Sequence, residues 1–331
     1  MTNVGHLIRT HSRPDCCVCG AIGEPLYQQL RDNLFGVPGE WDLKKCSNPQ
    51  CGLVWLDPMP IEDDIGKAYK AYYTHVDSRE GRSSRGAKEY FRALFNKIWG
   101  LFLRVTPIYG ERKRLNLMYL DRDIPGRVLE IGCGSGRRLA DFRAAGWQVE
   151  GQEVDVKAAR AAQQRYGIDI YMGSIDVMNI PDETFDAIIM NHVLEHVHDP
   201  EKVMAHSLRL LKPGGKLVVV TPNINSLGHK YFGESWRGLE PPRHIHIFSC
   251  NTLRKVAQKA GFCRYSVFTT MAHAEVIASG SFELQKAGDR VTSSRTSLRS
   301  HIAAVVFQMW AVIVYLIDKE SGEECVLVAT K

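Results

Sequence analysis

The chain has 331 residues, of which 44% are hydrophobic and 24% charged, shares typical of a globular protein with a large buried core. Its formal net charge is only +5 and it has no long Lys/Arg block, so composition neither requires nor excludes a nucleic-acid partner. The length suggests about two domains. Residues 1–14 are polar, which excludes a secretory signal, and nine cysteines without such a signal indicate a reducing, cytoplasmic setting.

Four cysteines near the N-terminus predict a zinc site. Cys16 and Cys19 form a C-x2-C pair, Cys46 and Cys51 form a C-x4-C pair, and a glycine follows each pair. Zinc prefers four soft ligands in a tetrahedron, which two short pairs on turns can supply. Such a site has no open position, so we expect the metal to support folding rather than catalysis. Cys17 belongs to neither pair. Its thiol either faces away from the metal or replaces one of the four predicted ligands.

Residues 59–115 are predicted to form a helical connector or lid. Residues 59–80 indicate short helix and loop, and the Gly/Ser/Arg-rich stretch 78–88 is typical of a flexible linker. Residues 91–105 carry aromatic and aliphatic side chains at helical spacing, with basic residues among them.

From Arg127 onward, apolar strand patterns alternate with helical patterns, which predicts a parallel α/β sheet. The first strand contains Glu130 and runs into the loop Gly132-Cys133-Gly134-Ser135-Gly136. Glycines allow backbone to approach a ligand closely, and the following helix points its free N–H groups at the loop. These features indicate a nucleotide-type site. The dinucleotide fingerprint G-x-G-x-x-G fails because Arg137 replaces its third glycine.

The later strands can also be placed from their patterns. Residues 148–153 form the second, and Glu153 near its end lies 17 residues past Gly136, about where nucleotide-binding folds place a carboxylate on ribose hydroxyls. The last three strands are predicted at 216–221, 263–268 and 324–330.

One apolar segment, 302–317, has 16 residues and only Gln308 as a clearly polar member. It is shorter than the ~20 residues that a membrane-spanning helix needs, which favours a buried helix covering the sheet. The alternative is an interfacial surface, formed with the helix at 91–105, that places the protein peripherally at the inner membrane face.

The motifs together resemble those of class I S-adenosylmethionine-dependent methyltransferases. They are the Glu-x-Gly-x-Gly-x-Gly run at 130–136 and the stretches 148–153, 181–189, 191–197 and 211–217, in the family's order over 127–222. The cysteine pairs and the stretch 51–58 are similar to a bacterial subset with an N-terminal four-cysteine zinc ribbon. The resemblance implies a Rossmann-like sheet of seven strands with the last one antiparallel. It also implies a ribbon domain at 1–58, the connector at 59–115 and a methyltransferase domain at 116–331.

The resemblance also implies a cofactor site for S-adenosylmethionine. Glu130 is expected near the methionine ammonium and Glu153 at the ribose. Many relatives have an aspartate where Ser174 stands, so the adenine contact is either a backbone carbonyl or Asp176. The full expected set is Glu130, Gly132, Cys133, Gly134, Gly136, Glu153, Val154, Ser174, Ile175, Asp176 and Asn191.

Histidines after the fourth strand are the candidate catalytic groups, because histidine accepts protons near neutral pH. His192, Glu195 and His196 share one side if the chain turns helically there. Their roles stay open among a base at His196, a divalent-metal site resembling that of some quinone-pathway O-methyltransferases, and loop structure. His244 is a second candidate base or substrate contact, with Arg243 beside it as a possible ligand for phosphate or carboxylate.

The expected reaction is methyl transfer, most simply to oxygen, on a small-molecule, sugar or lipid-linked glycan acceptor. An RNA methyltransferase that uses the ribbon for binding is the alternative. Residues 14–58 have few basic side chains, chiefly Arg31, Lys44 and Lys45, which makes nucleic acid the less favoured partner. A non-catalytic cofactor-binding relative is a third possibility. The sequence does not indicate an oligomeric state.

Overall fold

The computed structural model describes residues 8–69, 99–100, 103–104, 106–175, 178–288, 290–292 and 297–331. Five short strands form the N-terminal part: β1 (Thr10–His11), β2 (Gly23–Leu30), β3 (Trp41–Cys46), β4 (Val54–Leu56) and β5 (Met59–Pro60). β1 pairs with β5, and β2, β3 and β4 form an antiparallel sheet. The predicted linker at 78–88 and nearly all of the predicted helix at 91–105 lie outside the described residues.

The core of the molecule is a seven-stranded sheet. Its strands are β6 (Arg127–Ile131), β7 (Gln148–Glu153), β8 (Asp169–Met172), β9 (Phe185–Asn191), β10 (Leu211–Pro222), β12 (Arg264–Thr270) and β13 (Glu324–Thr330). They are ordered β12-β13-β10-β9-β6-β7-β8, and β13 alone runs antiparallel to its neighbours. The prediction of seven strands with the last antiparallel is confirmed.

Continuous apolar runs explain why β9 and β10 lie in the middle of this sheet. Ile188 and Ile189 in β9 and Val218 and Val219 in β10 are fully buried. A strand covered by helices on both faces needs apolar side chains at successive positions rather than at alternate ones. The predicted last strand has the observed bounds, whereas β10 begins earlier than expected, at Leu211.

The remaining strand, β11 (His246–Ile247), joins the N-terminal sheet and not the central one. It pairs antiparallel with β4, and His246 lies opposite Trp55. The four-stranded sheet therefore has the order β11-β4-β3-β2 and contains a piece of chain from beyond the fifth central strand. The division at residues 58 and 115 stays a prediction, but the first and third predicted segments share a sheet.

Nine α-helices have both ends in the described residues: α1 (Glu62–Ile65), α2 (Pro107–Asn116), α3 (Arg137–Ala144), α4 (Val156–Tyr166), α5 (Pro200–Leu210), α6 (Leu227–Phe232), α7 (Cys250–Lys259), α8 (Ala274–Ala287) and α9 (Leu298–Ile317). Side-chain caps start several of them: Asp155 accepts from the backbone N–H of Lys157, and Ser249 from that of Thr252. α3 and α4 follow β6 and β7, which places their N-termini at the carboxyl edge of the sheet.

The apolar segment near the C-terminus forms a longer helix than its sequence suggested. α9 has 20 residues, because Ser297 caps a polar first turn ahead of the apolar stretch. Within the described residues it is the one helix long and apolar enough to cross a membrane, although a third of its apolar window (33%) is buried. The argument that the segment is too short to span therefore fails. Its buried face packs against α8, and its opposite face is exposed.

Candidate functional site

The loop between β6 and α3 is shaped by glycines that no other residue could replace without strain. Gly132, Gly134 and Gly136 have φ values of +66°, +51° and +70°. A Cβ on Gly132 would also lie 2.6 Å from a methyl group of Val193. The loop thus keeps its backbone open for a ligand, and the N–H groups of α3 lie directly beyond it.

Glu130, in β6, is buried beside this loop. Its Oε1 lies 3.3 Å from Nε of Arg138, and its Oε2 has no hydrogen-bond partner in the described part of the chain. Burial raises the pKa of this carboxyl to about 8, which the charge of Arg138 only partly offsets. A buried oxygen without a donor needs a partner. An ammonium group of a ligand would supply one and would restore the ionised form.

Glu153 closes the other side of the loop. Its Oε2 accepts from the backbone N–H of Gly134 at 2.7 Å, and its Oε1 accepts from that of Asp155 at 2.9 Å. Each carboxylate oxygen keeps a second lone pair, which can accept from ribose hydroxyls. Gln152 of β7 accepts from the N–H of Gly132 at 3.1 Å and donates to the carbonyl of Gly173, so one side chain ties together the loops after β6 and β8.

The other expected cofactor contacts surround this edge of the sheet. Val154 is exposed, Ile175 is buried, and Asn191 ends β9. Asp176 lies outside the described residues. The adenine contact therefore stays open between a backbone carbonyl and that side chain.

His192 follows β9 with a left-handed φ of +54°, which is uncommon for a residue other than glycine and is often found at functional sites. Its Nδ1 lies 3.1 Å from Oε1 of Glu195, and its Nε2 lies 2.7 Å from Oε1 of Glu324. Burial alone would lower the pKa of His192, but the two carboxylates outweigh it and raise the pKa to about 10. At neutral pH His192 is therefore an imidazolium that joins the carboxylates of Glu195 and Glu324. In this protonated form it is a poor base.

Glu195 is fully buried and also accepts from Oγ1 of Thr221 at 3.0 Å. Burial favours its protonated form, but His192 and the neighbouring histidines prevail and lower its pKa to about 2. It therefore remains a carboxylate. Its Oε1 lies 4.0 Å from Nε2 of His244.

His196 has the tautomer that a proton acceptor requires. Its Nδ1 lies 2.8 Å from the carbonyl oxygen of Arg243 and 3.0 Å from the hydroxyl of Tyr69. Since a carbonyl can only accept, Nδ1 carries the proton and Nε2 keeps a lone pair. The ring stands edge-on to His244, with centroids 4.7 Å apart. His244 donates from Nδ1 to the carbonyl of Gly238 at 2.8 Å.

The ring of His244 is neutral at physiological pH. Burial is the largest cause, and it lowers the pKa of this imidazole to about 4. His196, His244 and Glu195 bring three possible metal-ligand atoms within 4.8 Å of one another. The predicted metal trio had His192 in place of His244. The structure differs because both ring nitrogens of His192 are already paired with carboxylates.

Arg243 is buried and contacts protein carboxylates instead of an open cleft. Its guanidinium donates to both oxygens of Asp32, at 2.9 and 3.0 Å, and to Oε1 of Glu240 at 2.9 Å. It also lies over the ring of Phe35, 4.2 Å from the centroid. The guanidinium is directed at these protein carboxylates rather than at a ligand phosphate, so Arg243 joins the N-terminal part to the segment that carries His244.

The four predicted zinc ligands converge. Their Sγ atoms all lie within 4.8 Å of one another, with Cys16 to Cys51 at 3.7 Å and Cys19 to Cys46 at 3.4 Å. Tetrahedral zinc with bonds of about 2.3 Å requires sulfur separations of this size. The cluster is consistent with a small zinc-binding element. Cys17 faces away from it, with its Sγ 3.6 Å from Nε2 of His246.

Sequence reasoning missed several residues of this site: Asp32, Tyr69, Thr221 and Glu324. Glu324 had a usable signal. It begins the strand predicted to run antiparallel, and the start of an antiparallel strand lies at the same sheet edge as the ends of the parallel ones. The others come from distant parts of the chain and carry no motif.

Comparison with known proteins agrees with the fold. Residues 108–266 match the family model described as a methyltransferase domain. The ubiquinone biosynthesis O-methyltransferase of Coxiella burnetii is 33% identical over 136 residues, 37% of this chain and 58% of that protein. The demethylmenaquinone methyltransferase of Renibacterium salmoninarum is 30% identical over 128 residues, 38% of this chain and 52% of that protein. The chain thus spans just over half the length of these curated relatives.

A solved structure from Thermotoga maritima, described as a possible histamine N-methyltransferase, is 23% identical with a TM-score of 0.45. The match covers 70% of this chain and 99% of the Thermotoga maritima chain. The seven-stranded sheet has the Rossmann-like methyltransferase fold that the sequence predicted, and residues 108–266 are similar to the methyltransferase-domain family.

Proposed function

We propose that the protein transfers the methyl group of S-adenosylmethionine to a hydroxyl oxygen of a small-molecule or lipid-linked saccharide acceptor. When bound, the cofactor supplies a methyl group already activated by the sulfonium charge. The protein therefore needs mainly to align the two reactants, to exclude water and to accept a proton. The unpartnered Oε2 of Glu130 beside the glycine loop is the observation that carries the cofactor assignment.

On this proposal the residues of the loop hold the cofactor. Glu130 binds the methionine ammonium, and Glu153 accepts from the ribose hydroxyls while it keeps its bonds to the N–H groups of Gly134 and Asp155. The remaining expected contacts lie on the same sheet edge.

The acceptor side rests on His196. Its Nδ1–H is fixed by the Arg243 carbonyl, so Nε2 can take the proton of an acceptor hydroxyl. His192 is an unsuitable base because Glu195 and Glu324 hold its proton. Two named relatives act in quinone biosynthesis, one of them on oxygen, which supports a small-molecule acceptor. The ribbon resemblance supports a saccharide or lipid-linked one.

A product screen tests this proposal. The purified chain is incubated with S-adenosylmethionine carrying a deuterated methyl group and with metabolite and lipid extracts, and labelled products are identified by mass spectrometry. A His196→Gln variant should lose about 10²- to 10⁴-fold in turnover while it binds S-adenosylhomocysteine normally. His11→Gln, at an exposed N-terminal position, is the matched control.

Two results would contradict the proposal. Full turnover in His196→Gln would remove that residue from proton transfer. Label found on nitrogen, or on RNA together with tight, strongly salt-dependent RNA binding, would favour a different acceptor class.

A further inference from the structure

The exposed side of α9 is a continuous apolar surface. Side chains spaced three or four residues apart share one side of a helix. Here they are all large and apolar, and the exposed fractions of Val306, Ile313 and Ile317 are 64%, 58% and 86%. We call the set the α9 apolar face: Ile302, Val306, Trp310, Ile313, Leu316 and Ile317.

The other side of α9 is fixed to the domain by polar contacts. Gln308, fully buried, donates to the carbonyl of Met271 at 2.9 Å and accepts from the N–H of Glu275 at 3.2 Å. The hydroxyl of Tyr315 donates to the carbonyl of Thr269 at 2.6 Å. A helix that crossed a bilayer would lose these bonds and place Gln308 in lipid. α9 therefore lies on its domain and presents one side outward.

Aromatic rings flank this face. Tyr231 of α6 is 53% exposed and meets the Trp310 ring edge-on, with centroids 5.5 Å apart. Tyrosine and tryptophan, which have an apolar body and a polar tip, are enriched where a membrane meets water.

The charges around the face identify its partner. α9 contains no acidic residue, and Arg299 at its start is exposed. Lys286 beside this end donates to Ser297 at 2.8 Å and also lies 3.6 Å from Glu283, and at the other end Lys319 is followed by the exposed Glu320. Asp318 there lies 3.5 Å from Nζ of Lys230, a distance at which the two charges offset each other.

The charge of Arg299 thus makes the start of the face cationic, while the charges at its far end balance. A parallel pairing with a second copy would bring two cationic ends together. A surface of anionic lipid headgroups is complementary to the same pattern. We propose that the α9 apolar face docks on an anionic bilayer and lies in the plane of the membrane interface over about 30 Å.

The position of α9 connects this surface to the acceptor side of the site. Thr269, which α9 contacts, is the second-last residue of β12, and the last one, Thr270, pairs with Glu324 of β13. Glu324 in turn bonds His192. If the proposed transferase function holds, on which this step rests, the bilayer lies near the acceptor cleft, and the acceptor is a membrane-resident lipid with a polar, hydroxyl-bearing head.

Vesicle flotation of the full chain tests the docking directly, without an activity assay. The vesicles contain phosphatidylcholine with or without phosphatidylglycerol, at low and high salt. The wild-type chain should float with the anionic vesicles, less so at high salt. Val306→Glu/Ile313→Glu should reduce the bound fraction by about tenfold or more, because both changes put charge into the buried layer. Ile124→Glu, at an exposed residue far from α9 in the chain (90% exposed), is the matched control.

The outcomes separate the alternatives. Absence of flotation, or equal flotation of the Val306→Glu/Ile313→Glu variant, would overturn the proposal. A concentration-dependent dimer in analytical ultracentrifugation that this variant abolishes would overturn it in favour of a second copy. Flotation without any methyl transfer would support docking and count only against the proposed function.

Discussion

Glu130 and Glu324 are both buried at the carboxyl edge of the sheet, and each keeps one oxygen without a hydrogen-bond partner in the described part of the chain. Burying an unpaired carboxylate oxygen is unfavourable, so native proteins keep such groups mainly where a ligand completes them. One of the two belongs to the cofactor motif. The other lies beside His192 and His273, whose Nδ1 is 4.0 Å from Oε2 of Glu324.

Cofactor binding should release a proton from Glu130. Its carboxyl has a pKa of about 8 in the free protein and is therefore protonated below that pH. The ammonium of the ligand favours the ionised form, so the proton leaves on binding, and affinity should fall by up to about tenfold per pH unit as pH drops below 8. Calorimetry with S-adenosylhomocysteine near neutral pH, in buffers of different ionisation enthalpy, measures this release. Glu130→Gln should bind weakly and release none; a buffer-independent heat in the wild type would contradict the assignment.

Glu324 is expected to contribute to binding of the acceptor and not to binding of the cofactor. Glu324→Gln keeps a hydrogen-bond partner for His192 but loses the charge, so the KM for the acceptor should rise by about tenfold or more. Affinity for S-adenosylhomocysteine should stay within about twofold. Glu320→Gln, an exposed residue nearby in the chain, serves as the control. An unchanged acceptor KM would leave Glu324 without a role in binding.

For single residues of the site, the sequence predicts those that belong to a local motif. Glu130 and Glu153 stand at fixed places relative to the glycine loop, and the structure places them on either side of it. The pairing of Arg243 with Asp32 joins positions far apart in the chain and leaves no local signature. The sequence for that reason predicted that Arg243 could donate hydrogen bonds to a bound phosphate or carboxylate.

Among the elements, β11 links the N-terminal sheet to the segment that follows β10. β11 pairs with β4, and the residue before it, Ile245, donates its N–H to the carbonyl of Glu195 at 3.0 Å. Asp32 and Arg243 form a fully buried ion pair across the same junction. The ribbon thus helps to hold the backbone that carries His244.

Breaking that ion pair should destabilise the whole chain. Asp32→Asn leaves the Arg243 charge buried and less well compensated, which costs about 3 to 5 kcal/mol of unfolding free energy in comparable buried pairs. Urea denaturation measures the loss. Asp32→Asn combined with Arg243→Met and Glu240→Gln should recover much of it, because no unpaired charge then remains among these three residues. Wild-type stability in Asp32→Asn would show that the pair has no such role.

Zinc removal should loosen the same junction. Elemental analysis should find one zinc per chain, lost in Cys46→Ser and retained in Cys263→Ser, whose thiol is exposed. Chelation should change the fluorescence of Trp41 and Trp55, both buried in the ribbon, and lower turnover more than cofactor affinity. Metal-free protein with an intact ribbon would refute the zinc assignment.

Strand patterns predicted the central sheet well, because buried parallel strands are continuous apolar runs. The start of α9 was missed, since its first turn is polar and only the cap at Ser297 marks it. β11 was missed because a two-residue strand has no periodicity, and its partner lies in the ribbon.

For the molecule as a whole, the groups of the candidate site lie at one edge of the sheet. They are the glycine loop, the carboxylates of Glu130 and Glu153, and the histidines His192, His196 and His244. The N-terminal sheet supports that edge through β11, and α9 contacts β12 at Thr269, close to the same edge. The acceptor itself could not be predicted, because no motif in the sequence encodes it.

Calorimetric titration of the intact chain with S-adenosylhomocysteine, beside a nicotinamide dinucleotide, tests the central claim most directly. We predict saturable binding of one S-adenosylhomocysteine per chain, strongly weakened in Glu153→Gln, and no binding of the dinucleotide. Tight binding of the dinucleotide, with no heat from S-adenosylhomocysteine, would contradict the account.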